Sequence, residues 1–338
     1  MATGGAPAMP SGGKPASMPL AGRPAVGGAA GQPAMTPTEP QCDTIEVTID
    51  ELRPSVTLLV DQSGSMREGY PEDESPDTRW TLVREALLNP NTGVVPSLQR
   101  SIQFGLVFYT SHNGYSSGAC PLLSAVQNVT NNYRAISGLY DSTWPDDDTP
   151  TGAALQQVAR NILAAKRRST EVLLLVTDGD PDTCEQPDPQ DGQVEAIAGA
   201  RAVHEAGIDF YVLGISGDIS GDKLQQLANA GQGKPLDAIW GVDPEAAQPF
   251  QASASVAGLT GQLRDILARV PLCEIELDRP VGLDQLAAGE VTLDGKALAL
   301  GNPNGFRLKD SSHLEIVGRA CETLRDSGKR LSVRISCD

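Results

Sequence analysis

The chain has 338 residues, of which 40% are hydrophobic and 20% are charged, which is enough apolar material for one sizeable domain core and additional segments. A formal net charge of −17 and an isoelectric point near 4.6 argue against nucleic acid or an anionic membrane surface as the main partner. No run of about 20 apolar residues is present, so the sequence predicts no membrane-spanning helix.

The first 41 residues are rich in Gly, Pro and Ala and carry few charges. Such a composition buries too little apolar surface to offset the entropy lost on ordering, so residues 1–41 are predicted to form a disordered tether. This segment lacks an apolar run of about 7–15 residues, so no signal peptide is visible in it.

Residues 42–272 alternate β-branched runs with helical patterns, which predicts an α/β domain. Strands are predicted at 56–60, 102–109, 122–126, 172–176, 209–214 and 238–242. Helices are predicted at 80–88, 133–139, 152–165, 194–206, 224–230 and 256–270. Because helices separate the strands, the expected fold is Rossmann-like: a doubly wound, mostly parallel central sheet with helices on both faces.

The first predicted strand of this domain ends in an Asp-x-Ser-x-Ser motif, formed by Asp61, Ser63 and Ser65. Closely spaced carboxylate and hydroxyl oxygens, without His or Cys among them, suit a hard divalent cation such as Mg²⁺. In sheets of this kind, ligands lie outside the carboxyl ends of the strands, where the strand order reverses. The motif therefore predicts a cation site at that edge.

Two later motifs bring further oxygen atoms toward the same edge. The buried run 171–176 leads into Thr-Asp-Gly, which contains Asp178, and Thr149 lies in an acidic loop just before an apolar helix. Together with the Asp-x-Ser-x-Ser motif, and in this order, these motifs resemble the von Willebrand factor type A domain with its metal-ion-dependent adhesion site. The resemblance covers about residues 45–270.

This resemblance implies a metal site formed by Asp61, Ser63, Ser65, Thr149 and Asp178. The three hydroxyl groups would bind the cation directly, and the two aspartates would act through water or hydroxyl groups. One coordination position would stay open for a Glu or Asp carboxylate of a protein partner, and Thr149 would change from indirect to direct coordination when that partner binds. Mg²⁺ is the expected ion, with Mn²⁺ and Ca²⁺ as alternatives.

Two acidic segments adjoin the predicted site. Residues 146–148 are all aspartate, where many family members have small or Gly-rich segments. They could raise cation affinity, favour Ca²⁺, repel an acidic partner, or simply form a solvated loop. Glu68 and the acids at 72–74 form the second segment, which is expected to tune partner choice rather than bind metal.

The six cysteines indicate disulfide bonds rather than a zinc site, since none has Cys-x-x-Cys spacing. Their even number fits three disulfides and an oxidising compartment, and the alternative is a set of buried thiols in a cytosolic protein. The expected pairs are Cys120–Cys184 in loops at the metal-bearing edge, Cys321–Cys337 across a short C-terminal loop, and Cys42–Cys273 where the domain ends meet.

After Cys273 the pattern changes to short predicted strands at 274–277, 290–293, 314–317 and 331–335, separated by Asp-Gly and Asn-Gly turn signals. Residues 273–338 are therefore predicted to form a small β-rich appendage. Whether it is a separate domain or an edge extension of the main sheet is left open. The predicted organisation is a tether at 1–41, a von Willebrand type A domain at 42–272 and the appendage at 273–338.

Three classes of enzyme fit the sequence poorly. An aspartyl phosphatase would have a second Asp where Ser63 stands, and a dinucleotide enzyme would have Gly-x-Gly-x-x-Gly after the first strand. A serine hydrolase would need Gly-x-Ser-x-Gly and a partner histidine, and the chain has His112, His204 and His313 alone. The sequence predicts a non-enzymatic binding module of the extracellular space or cell envelope; the alternative is an assembly component of an intracellular or envelope complex.

Overall fold

A computed structural model describes residues 44–48, 53–70, 76–111, 118–167, 169–185, 191–216, 219–251, 255–270, 273–277, 279–324 and 330–335. All of them belong to Cys42–Asp338, one of the two units into which the chain divides. The predicted tether, Cys42, Cys337, His112 and the acids at 72–74 lie outside the described residues.

Strands and helices alternate along the described chain. The strands are β1 (Thr44–Thr48), β2 (Ser55–Asp61), β3 (Gln103–Thr110), β4 (Leu122–Val129), β5 (Glu171–Thr177), β6 (Asp209–Gly214), β7 (Phe250–Gln251), β8 (Glu274–Glu276), β9 (Glu290–Leu293), β10 (Lys296–Leu298), β11 (Phe306–Asp310), β12 (His313–Ile316) and β13 (Arg330–Arg334). The helices are α1 (Arg79–Leu88), α2 (Val94–Leu98), α3 (Tyr133–Ser142), α4 (Thr151–Ala165), α5 (Gln193–Glu205), α6 (Gly221–Gly231), α7 (Val256–Leu267), α8 (Leu283–Ala287) and α9 (Arg319–Leu324), and a short 3₁₀ helix spans Gly64–Arg67. None of the described helices is both long and apolar enough to cross a membrane.

Six strands form the central sheet, in the order β4-β3-β2-β5-β6-β7. β2 lies in the middle and pairs in parallel with both β3 and β5, and the β5–β6 and β6–β7 pairs are parallel as well. β4, at one edge, runs antiparallel to β3. The predicted doubly wound, mostly parallel sheet is confirmed.

Side chains of the central strands alternate between two cores, one on each face of the sheet. Leu58 belongs to the core that contains α1 and α7, whereas its neighbour Leu59 belongs to the core that contains α4, α5 and α6. Burial of one leucine stabilises a fold by about 1.5–3 kcal/mol. Because both faces are covered there, the four inner strands β2, β3, β5 and β6 consist mainly of apolar residues, whereas the outer strand β4 is only partly buried and carries polar residues along its length.

The strands that carry the two aspartate motifs are neighbours at the centre of this sheet. Val60 in β2 lies beside Val176 in β5, so the residues that follow each strand emerge at the same edge. Strand order reverses about this centre, since the chain runs outward from β2 through β3 to β4 on one side and then crosses to β5 on the other. This is the position at which doubly wound sheets bind their ligands.

The C-terminal strands form two small antiparallel sheets with a core of their own, and they do not join the central sheet in the described part of the chain. One sheet has the order β1-β13-β9-β10 and the other β11-β12-β8. β1 pairs with β13 along its whole length, so residues 44–48 belong to the C-terminal sheets and not to the central one. The predicted boundary at residue 42 groups this strand with the α/β domain. The local sequence gives no sign of its pairing, because Thr44 pairs with Arg334, which lies 290 positions further along the chain.

The predicted strand at 238–242 is wrong, because this segment forms a turn. The Asn229 side chain donates to the carbonyl oxygen of Ala238 at 2.8 Å, and the Asp243 carboxylate accepts from the Ile239 amide at 2.8 Å. Backbone groups bound to side chains in this way are withdrawn from a strand ladder. The edge strand of the sheet is instead β7, which is only two residues long.

The structure joins Cys120 to Cys184, the pair expected from the sequence, with the two Cα atoms 5.6 Å apart. Cys273 is bonded to Cys321, so the predicted pairs Cys321–Cys337 and Cys42–Cys273 are both wrong. The reason is topological: β8, which follows Cys273, pairs with β12, and β12 leads directly into α9, which contains Cys321.

Candidate metal site

The carboxyl ends of β2 and β5 present two buried aspartates at one edge of the central sheet. Asp61 is the last residue of β2, and Asp178 follows the last residue of β5. Both side chains are fully buried. The parallel pairing of these strands, rather than the sequence distance between the motifs, determines that the two carboxylates lie near each other.

Asp61 is held by donors from three different parts of the fold. One carboxylate oxygen accepts from the Ser63 amide at 2.8 Å. The other accepts from the hydroxyl groups of Thr177, at 2.8 Å, and Tyr109, at 3.1 Å. Since Tyr109 lies in β3 and Thr177 in β5, the carboxylate of Asp61 is fixed between its two neighbouring strands.

The two serines of the motif connect Asp61 to Asp178. Ser63 precedes the 3₁₀ helix, whose turn brings Ser65 back so that the two Oγ atoms lie 3.0 Å apart. The Ser65 hydroxyl then donates to Asp178 Oδ1 at 2.9 Å. The structure thus brings Asp61, Ser63, Ser65 and Asp178 into one hydrogen-bonded group.

Thr149 is tied to this group through the backbone of its loop. The amide of Gly64 donates to the carbonyl oxygen of Asp147 at 2.9 Å, and the amide of Asp146 donates to that of Gln62 at 2.8 Å. Thr149 itself is buried and precedes α4, where the Thr151 hydroxyl lies 3.2 Å from the Tyr109 hydroxyl. The loop that carries Thr149 therefore packs directly on the Asp-x-Ser-x-Ser turn.

Arg79 and Asp182 also contact these residues, and sequence reasoning missed both. Arg79, the first residue of α1, donates from Nη1 to Asp178 Oδ2 at 2.8 Å. Asp182 accepts from the Thr149 amide through Oδ2 at 3.0 Å, and its own amide donates to the Thr149 carbonyl oxygen at 2.9 Å. The sequence carries only weak signals for these two residues: Arg79 opens a helix after an acidic segment, and Asp182 lies four residues after Asp178.

Burial governs the ionisation of the two central carboxyl groups. It raises the pKa of Asp61, against the opposing effect of the hydrogen bonds from Ser63, Thr177 and Tyr109. Burial and then the charge of Asp61 raise the pKa of Asp178 to about 6, and the contact with Arg79 opposes this rise. Two nearby buried carboxylates disfavour each other's charged form, and a bound cation would remove that conflict.

The oxygen atoms of this group fit a small hard cation. Around Mg²⁺, metal–oxygen distances of about 2.1 Å at right angles place neighbouring ligand oxygens about 3.0 Å apart. The Ser63–Ser65 oxygen distance of 3.0 Å matches this spacing, and Ser65 also donates to Asp178, which orients its hydroxyl group. Across the described residues, no group of three or more His, Cys, Asp or Glu side chains is placed to hold a metal ion. The candidate site is of a different kind, with hydroxyl groups outnumbering its two carboxylates.

The acidic loop at 146–148 lies at the outer rim of this group. The Asp146 side chain is 64% exposed, and one of its carboxylate oxygens lies 3.3 Å from the guanidinium of Arg67, which is about half exposed. Asp148 turns inward and accepts from the Ser111 hydroxyl at 3.1 Å. Asp146 is thus a solvated residue, whereas Asp148 helps to hold the loop in place.

The two described histidines lie elsewhere. His204 is exposed on α5, and His313, in β12, contacts the Asp310 carboxylate at 2.8 Å. Neither is among the hydrogen-bond partners that the described residues provide for Ser63 or Ser65.

Several solved structures resemble the chain at low identity. The open conformation of the pilus adhesin SpaC from Lactobacillus rhamnosus GG is 16% identical, with a TM-score of 0.47 over 84% of this chain and 38% of that one. Manganese-loaded TRAP protein from Plasmodium vivax is 17% identical, with a TM-score of 0.43 over 67% of this chain and 76% of that one. A von Willebrand factor type A protein from Catenulispora acidiphila is 15% identical, with a TM-score of 0.41 over 85% and 59% of the two chains. The chain spans about two fifths of the length of the pilus adhesin.

The family of the chain is identified by a sequence profile rather than by these structures. No curated protein matches the chain significantly. The sequence profile of the von Willebrand factor type A domain, however, matches residues 55–236, which include β2, β5 and all three motifs at the candidate site. Since this match covers more than half of the chain, the protein belongs to the von Willebrand factor type A domain family.

Proposed function

We propose that the protein is a non-enzymatic binding module that holds a divalent cation at Asp61, Ser63, Ser65, Thr149 and Asp178 and, through it, binds an acidic residue of a protein partner. The observation that carries this proposal is the hydrogen-bonded group at the sheet edge, in which the Ser63 and Ser65 hydroxyl oxygens lie 3.0 Å apart, the spacing of neighbouring ligands on a small cation. Family membership supports the choice of ligands.

The chemistry of the group favours a carboxylate as the partner's contribution. Neutral hydroxyl ligands leave most of the positive charge on the cation, so an incoming carboxylate gains more than it would at a site made of acids. The oxygens of Asp61 and Asp178 are already engaged by hydrogen bonds, which suits two aspartates that orient the hydroxyl groups and water rather than bind directly. Mg²⁺ is the proposed ion, and Mn²⁺ and Ca²⁺ are the alternatives, since all three ions take oxygen ligands.

Other features support a protein partner in an oxidising environment. The net charge of −17 disfavours nucleic acid. Two disulfides among the described residues support an extracellular or cell-envelope location over an intracellular assembly role. We also propose that residues 1–41 act as a tether for the binding domain, which lies within 42–272 apart from β1, and that β1 and residues 273–338 form its appendage.

Calorimetry with the purified protein tests the metal site. Asp61→Ala and Ser63→Ala are each expected to abolish Mg²⁺ binding, because Asp61 positions the turn and Ser63 supplies a ligand oxygen. Ser137→Ala is the matched control, since this serine lies on α3 and contacts the exposed carboxylate of Asp141. Unchanged Mg²⁺ binding in Asp61→Ala or Ser63→Ala would refute the site.

A pull-down tests the partner hypothesis. Wild-type protein is expected to retain a partner in Mg²⁺ and to release it when a chelator is added, whereas Thr149→Ala is expected to retain none. Retention that survives chelation would exclude cation-mediated binding. Counting free thiols in the native protein tests the location, because six free thiols would favour the intracellular alternative.

A further inference from the structure

Arg79 contacts two carboxylates at the candidate site, although it belongs to none of the metal-ligand motifs. Its Nη1 atom lies 2.8 Å from Asp178 Oδ2, and its Nη2 atom lies 2.8 Å from Glu68 Oε2. The arginine side chain is only 6% exposed, whereas that of Glu68 is 53% exposed. The guanidinium group therefore separates a fully buried carboxylate from a solvated one.

The backbone fixes Arg79 in this position. Arg79 is the first residue of α1, and the preceding Thr78 caps that helix by accepting from the Thr81 amide at 3.2 Å. The Arg79 amide donates to the Glu68 carbonyl oxygen at 3.0 Å. The start of the helix and the end of the Asp-x-Ser-x-Ser turn are thus joined at the residue that contacts Asp178.

This contact changes both the charge and the availability of Asp178. One oxygen of Asp178 accepts from Ser65 and the other from Arg79, so neither faces a cation without a competing donor. The guanidinium also cancels the charge of Asp178. A divalent cation held with Asp61 and Asp178 alone would form a neutral group, and with Arg79 the same group keeps one positive charge.

We propose that Arg79 determines the specificity of the site for carboxylate partners. It keeps Asp178 from direct coordination and holds positive charge beside the cation, which lowers the affinity for the cation itself and strengthens the attraction of the loaded site for an incoming carboxylate. The inference rests on the proposed function. Glu68 contributes little to it, because an exposed carboxylate is screened by water.

The test uses Mn²⁺ and acetate as probes, with the full-length chain. Mn²⁺ affinity is measured by calorimetry, and acetate binding to the Mn²⁺-loaded protein by water-proton relaxation. Arg79→Gln is expected to bind Mn²⁺ about tenfold more tightly than wild type and acetate at least about fivefold more weakly, since a buried unit charge lies beside both ligands. Arg79→Met is the second variant if the glutamine variant does not fold.

Two further variants separate charge from packing. Arg79→Lys keeps the charge and is expected to restore most of the acetate affinity. Glu68→Gln removes the outer carboxylate and keeps the guanidinium on Asp178, so both affinities should stay within about twofold of wild type. A merely structural arginine would lower the stability of Arg79→Gln without changing the two affinities in opposite directions.

Thermal unfolding supplies a readout that is independent of acetate. Arg79→Gln removes the positive charge that balances the Asp178 carboxylate. The rise in Tm on adding Mn²⁺ is therefore expected to be larger in this variant than in wild type. If both proteins bind Mn²⁺ and their acetate affinities are equal, this inference is overturned but the proposed function is not. Failure of wild-type protein to bind Mn²⁺ would overturn both this inference and the proposed function.

Discussion

The contact between Asp182 and Thr149 gives a sharp test of how the candidate site is positioned. Asp182 is 2% exposed, and it holds the Thr149 backbone on both sides, accepting from the amide at 3.0 Å and donating to the carbonyl oxygen at 2.9 Å. Replacement with alanine removes the carboxylate and leaves the buried Thr149 amide without this acceptor. A hydrogen bond to a charged group contributes about 1.5–3 kcal/mol to stability.

If a loss of about 2 kcal/mol acts entirely on the loop that positions Thr149, cation affinity falls by a factor of about 30, which is an upper limit. Asp182→Ala is therefore expected to lower both the free energy of unfolding, measured in urea, and the Mg²⁺ affinity, measured by calorimetry. Asp182→Asn keeps an oxygen acceptor at the same place, so its losses should be clearly smaller. The reasoning is refuted if Asp182→Ala binds Mg²⁺ as tightly as wild type while its stability falls by the stated amount.

Three other outcomes are expected from the fold. Cys184→Ser breaks the disulfide bond to Cys120, which closes a loop of 64 residues. The free energy of unfolding in urea should therefore fall by about 4 kcal/mol, and an unchanged urea midpoint would contradict this. Leu58→Ala removes a fully buried side chain beside α1 and α7 and should cost about 2–5 kcal/mol in the same assay, whereas a cost below 1 kcal/mol would show that the core collapses around the cavity. Burial raises the pKa of Glu171 above its ordinary value of 4.5, so the folded state keeps this proton at pH values where the unfolded state loses it. As pH rises above 4.5, the free energy of unfolding of the wild type should therefore fall relative to that of Glu171→Gln, and parallel pH profiles of the two proteins would contradict the shift.

The fold was predictable because its signals are local. The four inner strands β2, β3, β5 and β6 carry runs of mostly apolar residues, and each long helix carries a stripe of apolar residues, so their order along the chain is enough to predict a doubly wound sheet. The segment at 238–242 failed because its apolar residues, among them Ile239 and Val242, are exposed on a turn instead of buried. β7 could not be found in this way, since two residues are too few to form a pattern.

The candidate site was predictable only as far as its motifs extend. Asp61, Ser63 and Ser65 lie within five consecutive residues, and short-range geometry brings them together. Arg79 reaches Asp178 across 99 positions and Asp182 reaches Thr149 across 33, and neither contact leaves a periodic or compositional mark. The pairing of Cys273 with Cys321 depends in the same way on the register of β8 against β12.

The distribution of contacts at the site indicates which part of it can move. Asp61 is bound by the turn that follows β2 and by both neighbouring strands, so a shift of its carboxylate would disturb the centre of the sheet. Thr149 is held by hydrogen bonds between loops, and these include its two bonds to Asp182. Because Cys184, two residues beyond Asp182, is bonded to the loop before β4, the disulfide restrains the same segment. If the proposed partner binds, we therefore expect any accompanying rearrangement in the Thr149 loop, where Asp182 and the disulfide would resist it.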